Sequence, residues 1–196
     1  MNGAAVTTSA DAMCFGVTGD HTQLAPEALI HDGTVELVGG KLMAAERQSA
    51  THYTAIQKTA RVLALAFGPG WEVRTQGPIG LGHGSEPVPD VAVVPGSPDD
   101  YRTHHPSRPT LTVEVAESSL EVDRVTKGSL YARAGLAEYW VLNLADRVLE
   151  VYQKPAADPA APFGWRYLHC EVLDRAARVT PVTLASTSIA VAALLP

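Results

Sequence analysis

The chain has 196 residues, 46% of them hydrophobic and 18% charged; that suffices for one sizeable core and excludes a disordered composition. Its net charge of −6 argues against a protein that coats nucleic acid through a broad basic surface, though not against an enzyme with a local acidic site. Two cysteines, Cys14 and Cys170, form no CxxC or pairing pattern, and no apolar run approaches the ~18 residues of a membrane span.

Residues 1–20 are small and polar and read as a loosely held N-terminal arm, followed by a single domain over 21–196. Pro26 to Ile30 is compatible with a short helix. Thr34–Val38, Gly39-Gly40 and Lys41–Met43 read as a β-hairpin, because two glycines supply the positive φ angles of a two-residue turn. From Ser49 to Phe67 the period becomes helical, with Ile56, Ala60, Leu63 and Phe67 on one stripe and Gly68-Pro69-Gly70 as the stop. Trp71–Thr75 and Ile79–Leu81 read as short strands, and Gly82–Pro89 as a loop. Pro89–Val94 and Leu111–Ala116 are valine-rich strand patterns joined by a polar loop, Pro95–Pro109. Residues 121–134 read as a helix ended by Gly135. Glu138–Leu144 and Arg147–Gln153 are strands about a turn at Ala145-Asp146, and Lys154–Gly164 is a loop. Trp165–Leu173 and the segment from Arg178 to Leu195 add β structure. The order implies an α/β fold, a mixed sheet flanked by helices.

Asp90 and Glu114 stand out in this pattern. Each is an acid set in or against a run that otherwise reads as buried strand, where an uncompensated carboxylate is costly. Alternation puts Asp90 with Ala92, and Glu114 with Thr112 and Ala116. Were the two strands neighbours, both acids would face one cleft, with small alanines leaving room for a divalent metal and a substrate. On the following helix Asp123, Lys127 and Tyr131 fall at i, i+4 and i+8, one face. Lys127 is placed to reach Glu114, orient a water or stabilise charge on a phosphate.

These blocks resemble the bacterial putative restriction endonuclease family of the PD-(D/E)XK nuclease superfamily. Val35–Leu42 is similar to that family's "YELIDGEL" hairpin, Pro89-Asp90-Val91 to its "PDV", and Thr112–Ser119 to its "VVEVLSPS". Asp123, Lys127, Tyr131–Gly135 and Glu138–Val141 resemble its "D…K…YARAGVPEYWLV". The resemblance runs through roughly residues 25–195 and implies a restriction-endonuclease-like fold with an N-terminal β-hairpin and extra C-terminal strands. It implies Mg²⁺- or Mn²⁺-dependent cleavage of nucleic acid, DNA foremost. Asp90 and Glu114 would be metal ligands, Lys127 the catalytic lysine and Glu36 an accessory acid. The superfamily's lysine usually stands two residues after the second acid, where this chain has Ala116, so the lysine must come from the helix. A homodimer is a further expectation, since cutting both strands takes two sites.

His83 and Glu86, in the loop before Asp90, are weaker candidates for substrate contact, as are Asp123 and Tyr131. His52 reads as a packing or capping residue at a helix start, and Tyr139-Trp140 as core. His104-His105 lacks the further spaced ligands of a metal site. Gly80–Gly84 is no phosphate loop, since it lacks Gly-Lys-Ser/Thr and opens no helix. The chain lacks the charged-then-apolar layout of a signal peptide, which points to the cytoplasm and no membrane partner. Two other functions fit the same residues: a catalytically inactive nuclease-fold module binding nucleic acid or protein, and a metal-dependent hydrolase of a small phosphorylated substrate.

Overall fold

The computed structural model describes residues 35–44 and 48–196. The N-terminal arm and the Pro26–Ile30 helix expected from sequence lie outside the described residues.

A hairpin opens the described chain. Strands β1 (Val35–Val38) and β2 (Lys41–Ala44) pair antiparallel around Gly39 and Gly40, whose φ angles are +58° and +79°. Helix α1 (Ala50–Phe67) follows. The Ser49 hydroxyl caps it by accepting from the His52 N–H, and Gly68 ends it at φ +70°. Ile56, Leu63 and Phe67 are buried on the expected stripe.

The main sheet has six strands in the order β3-β4-β5-β6-β7-β8. They are β3 (Trp71–Thr75), β4 (Val91–Pro95), β5 (Leu111–Ala116), β6 (Glu138–Asn143), β7 (Val148–Ala157) and β8 (Trp165–Leu173). Only β5 and β6 run parallel, and the crossover between them carries a helix. That helix is a π-helical turn (Val122–Lys127) running into α2 (Gly128–Arg133).

The sheet has two covered faces, set by strand alternation. Val91, Val93, Val113, Val115, Trp140 and Leu142 point to one side, where α1 and the C-terminal helix α3 (Val191–Leu194) bury them. Ala92, Ala116, Tyr139 and Val141 point to the other, packed on Tyr131 of α2 and on Ile79 and Leu136. Tyr139 and Trp140 are thus both core residues, as expected, one on each face.

Three expectations need correction. Ile79–Leu81 is not a strand of the sheet: Ile79 N–H bonds Pro87 O and Leu81 N–H bonds Ser85 O, so the segment folds back on its own loop. Strand β7 runs on through Pro155 to Ala157, past a residue, Lys154, at φ +61°, so the loop expected from Lys154 is shorter. The tail forms only two-residue strands, β9 (Arg178–Val179) and β10 (Ile189–Ala190), and otherwise turns and short helices.

No helix among the described residues is long and apolar enough to cross a membrane.

Candidate active site

The sheet register brings the two acids together. Val91 pairs with Val113 across antiparallel β4 and β5, so the next residue out, Asp90, stands beside Glu114. Two bonds fix this: Val115 N–H donates to Asp90 Oδ2 at 2.8 Å, and Asp90 N–H to Glu114 Oε2 at 3.4 Å. Strand β5 lies between β4 and β6 and all six of its residues are buried, so Glu114 is only 2% exposed.

The crossover helix supplies the compensating cation. Lys127 Nζ lies 3.2 Å from Glu114 Oε1, 3.2 Å from Glu36 Oε1 and 3.9 Å from Asp123 Oδ1. The π-helical turn widens the helix here, as the Gly128 N–H to Asp123 O bond records, and it keeps both Asp123 and Lys127 on the buried side. Tyr131, one turn on, donates its hydroxyl to Glu114 Oε1 at 2.6 Å. Tyr131 therefore holds Glu114 from within the core. Ser119 donates to Asp123 Oδ2 at 2.5 Å, and Tyr139 donates to the Asp123 carbonyl at 3.0 Å.

Glu36 enters from the hairpin, which is tied to the loop before β4. Leu37 and Glu86 exchange two backbone bonds, Gly40 N–H reaches Gly84 O, and Gly39 N–H reaches the Ser85 hydroxyl. Arg133 of α2 also donates to that hydroxyl at 3.2 Å. Val88 N–H then donates to Glu36 Oε2 at 3.1 Å. The glycine turn and this loop together set Glu36 against Lys127.

Glu36, Asp90, Glu114, Asp123 and Lys127 line a cleft of about 460 Å³ with His52, Gln48, Gln76, Glu117, Ser118 and Ser119. His52 Nε2 lies 3.2 Å from Asp90 Oδ2. The expectation of a capping or packing role is met only by its backbone; its side chain belongs to the cleft. A histidine in the first turn, three residues after a capping serine, carried no sign of this in the sequence. Gln76 holds a positive φ, +51°, and its N–H bonds Asp90 O at 3.1 Å. His83 and Glu86 are outside the lining: His83 is exposed at φ +52°, and Glu86 sits 3.9 Å from His105 Nε2. His104 packs edge-on against Tyr101.

The electrostatics show a shortage of positive charge. Burial lifts the Glu114 carboxyl well above its usual range; Lys127 pulls it back, and Asp123, Asp90 and Glu36 add to the rise. Burial likewise pushes Asp123 up to about 6 against the pull of Lys127 and Ser119. Burial opposes the charge on Lys127, but Glu114, Glu36, Asp123 and Asp90 outweigh it and raise its pKa. Burial also opposes charge on His52, but its bond to Asp90 and the charges of Asp90, Glu117 and Asp123 together outweigh that, leaving the imidazole raised.

Five carboxylates, Glu36, Asp90, Glu114, Glu117 and Asp123, thus line the cleft with one ammonium and one imidazole. Their hard oxygen donors and surplus negative charge fit Mg²⁺ or Mn²⁺. Among the described residues no three His, Cys, Asp or Glu side chains are arranged to hold an ion as they stand. The fit is therefore to a site of two carboxylates, Asp90 and Glu114, completed by water and substrate oxygens, as Mg²⁺ commonly prefers.

The fold has a counterpart among solved structures. A crystal structure titled as a "putative nuclease belonging to DUF820" from Anabaena variabilis matches with a TM-score of 0.61 and 18% identity, covering 83% of this chain and 90% of that one. The two share a restriction-endonuclease-like fold, a central mixed sheet flanked by helices. No curated protein matches the chain. The chain belongs to the Uma2 family, described as "Putative restriction endonuclease", whose family model matches residues 22–192.

Proposed function

We propose that this chain is a divalent-metal-dependent endonuclease that hydrolyses phosphodiester bonds of nucleic acid, DNA foremost. The observation that carries the reading is the convergence of Asp90, Glu114 and the Lys127 ammonium in one cleft, the last two 3.2 Å apart. Asp90 and Glu114 would hold Mg²⁺ or Mn²⁺. When bound, such an ion polarises the scissile phosphate and lowers the pKa of a water. Lys127, kept charged by its carboxylate neighbours, orients the attacking water and stabilises charge gathering on the phosphate oxygens. His52 and the Val115 N–H hold Asp90 in place, and Tyr131 does the same for Glu114. Cutting both strands of a duplex would take two copies of the chain.

The size of the cleft, about 460 Å³, favours a second reading, a hydrolase of a small phosphorylated substrate, since ligand pockets commonly have such volumes. One panel separates the two. Purified protein is incubated in Mg²⁺ or Mn²⁺ with plasmid, linear and single-stranded DNA, RNA and a chromogenic phosphodiester, beside Asp90→Ala, Glu114→Ala and Lys127→Ala. The first reading predicts polymer cleavage that all three substitutions abolish. Cleavage retained in all three sinks it, and turnover of the small ester alone favours the second.

A further inference from the structure

Glu36 reaches the cleft from a different part of the fold than Asp90 and Glu114 do. Its Oε1 takes the Lys127 ammonium at 3.2 Å and its Oε2 the Val88 N–H at 3.1 Å; Glu114 also has a donor on each oxygen, so what sets Glu36 apart is where it stands. It comes from a separate sheet, the β1–β2 hairpin, while Asp90 and Glu114 are adjacent across β4 and β5. Its carboxylate touches the lysine of the π-helical turn, and none of its bonds reaches Asp90 or Glu114.

The hairpin holds Glu36 firmly. Leu37, Gly39 and Gly40 are bonded to Glu86, Ser85 and Gly84 on the neighbouring loop, and Arg133, on the helix that carries Lys127, bonds the same Ser85. Hairpin and helix are therefore joined twice, through Ser85–Arg133 and through Glu36–Lys127. A lysine side chain has four rotatable bonds and loses much entropy when fixed. A buried carboxylate on a locked hairpin is a means of fixing it.

We propose that Glu36 is a positioning residue for Lys127, not a metal ligand. It draws the ammonium toward the hairpin side of Glu114 and supports its charge, leaving Asp90 and Glu114 to the ion. The inference rests on the nuclease reading above.

The test is a crystal structure of the wild-type protein with Mn²⁺, located by its anomalous scattering, together with steady-state cleavage kinetics of Glu36→Gln. The expected structure keeps the Glu36 oxygens on Lys127, with Asp90 and Glu114 on the ion. The expected kinetics are a kcat lower by about 10–100-fold, the usual loss for a supporting residue, with KM unchanged. A Glu36 oxygen within ~2.2 Å of the ion, or an unchanged kcat, overturns the proposal. If Glu36→Gln fails to fold, Glu36→Asp replaces it, with the carboxylate kept but drawn back from Lys127, and the same criteria apply. A wild type that takes up no Mn²⁺ and cuts no polymer overturns the nuclease reading itself, an outcome distinct from an ion bound by Glu36.

Discussion

At the scale of single residues, the site is a problem in charge compensation. Glu114 is a buried carboxylate in an interior strand, where an unpaired charge is not tolerated. Its nearest compensators are the Lys127 ammonium and the Tyr131 hydroxyl, both on Oε1. Tyr131→Phe removes one of them without opening a cavity. A hydrogen bond to a charged group is worth about 1.5–3 kcal/mol, so urea unfolding of Tyr131→Phe should show a loss of that order. A loss too small to resolve would mean that Lys127 and the Asp90 N–H suffice to compensate Glu114. The sequence made Asp90, Glu114 and Lys127 visible because acids between valines break a strand pattern and Lys127 shares a helix face with Asp123. It did not reveal His52 or Gln76. A histidine after a serine cap looks like part of the cap. The positive φ falls on Gln76, although Gly77, next to it, is the residue whose sequence suggests such a backbone.

At the scale of elements, legibility followed local chemistry. The hairpin turn and the ends of α1 were readable because glycine and serine act on their own backbone or that of the next turn. The π-helical turn was not readable. Its extra residue is stabilised by tertiary contacts, such as the Tyr139 hydroxyl on the Asp123 carbonyl, which no spacing rule encodes. Ile79 misled for a related reason. It is fully buried and apolar like a strand residue, but its N–H pairs with Pro87 within the same loop. The hairpin offers a direct test at this scale. A Cβ at Gly39 would lie 2.4 Å from Phe163, whereas one at Gly40 meets nothing within 4 Å, and both residues have positive φ. Gly39→Ala and Gly40→Ala share about 1–2 kcal/mol of left-handed strain. Gly39→Ala should lower the melting temperature further and reduce cleavage more, because it displaces the strand that bears Glu36. Equal effects would detach Phe163 from the hairpin's placement.

For the whole molecule, the cleft's surplus of acids should appear as an unusual pH dependence. Glu114 and Asp123 in the cleft, and Glu138 outside it, all have raised carboxyl pKa values, with burial the first cause of each, and His52 is raised as well. Groups raised on folding bind protons more tightly in the native state. The His52 contribution is full below its ordinary value of 6.5 and fades as pH rises through the raised value. For Asp123 the window lies between its ordinary 3.8 and about 6. Both effects make the metal-free protein more stable at pH 5 than at pH 8. The lowered carboxyls, Asp100 and Glu150, oppose this only as pH falls toward and below their ordinary values of 3.8 and 4.5. Urea midpoints across pH 5–8, in the presence of a chelator, should fall as pH rises, and Asp123→Asn should flatten the slope. A midpoint that climbs with pH would show the cleft's acids to be better compensated than its geometry implies.

The most direct test of the central claim is single-turnover cleavage of plasmid DNA in Mn²⁺ by the wild type and by Glu114→Gln, which keeps the side chain's shape and removes its charge. The account predicts nicking or linearisation by the wild type and a loss of at least about a hundredfold in the variant, as expected when an ion's anionic ligand is neutralised. Equal cleavage by the two proteins would contradict it.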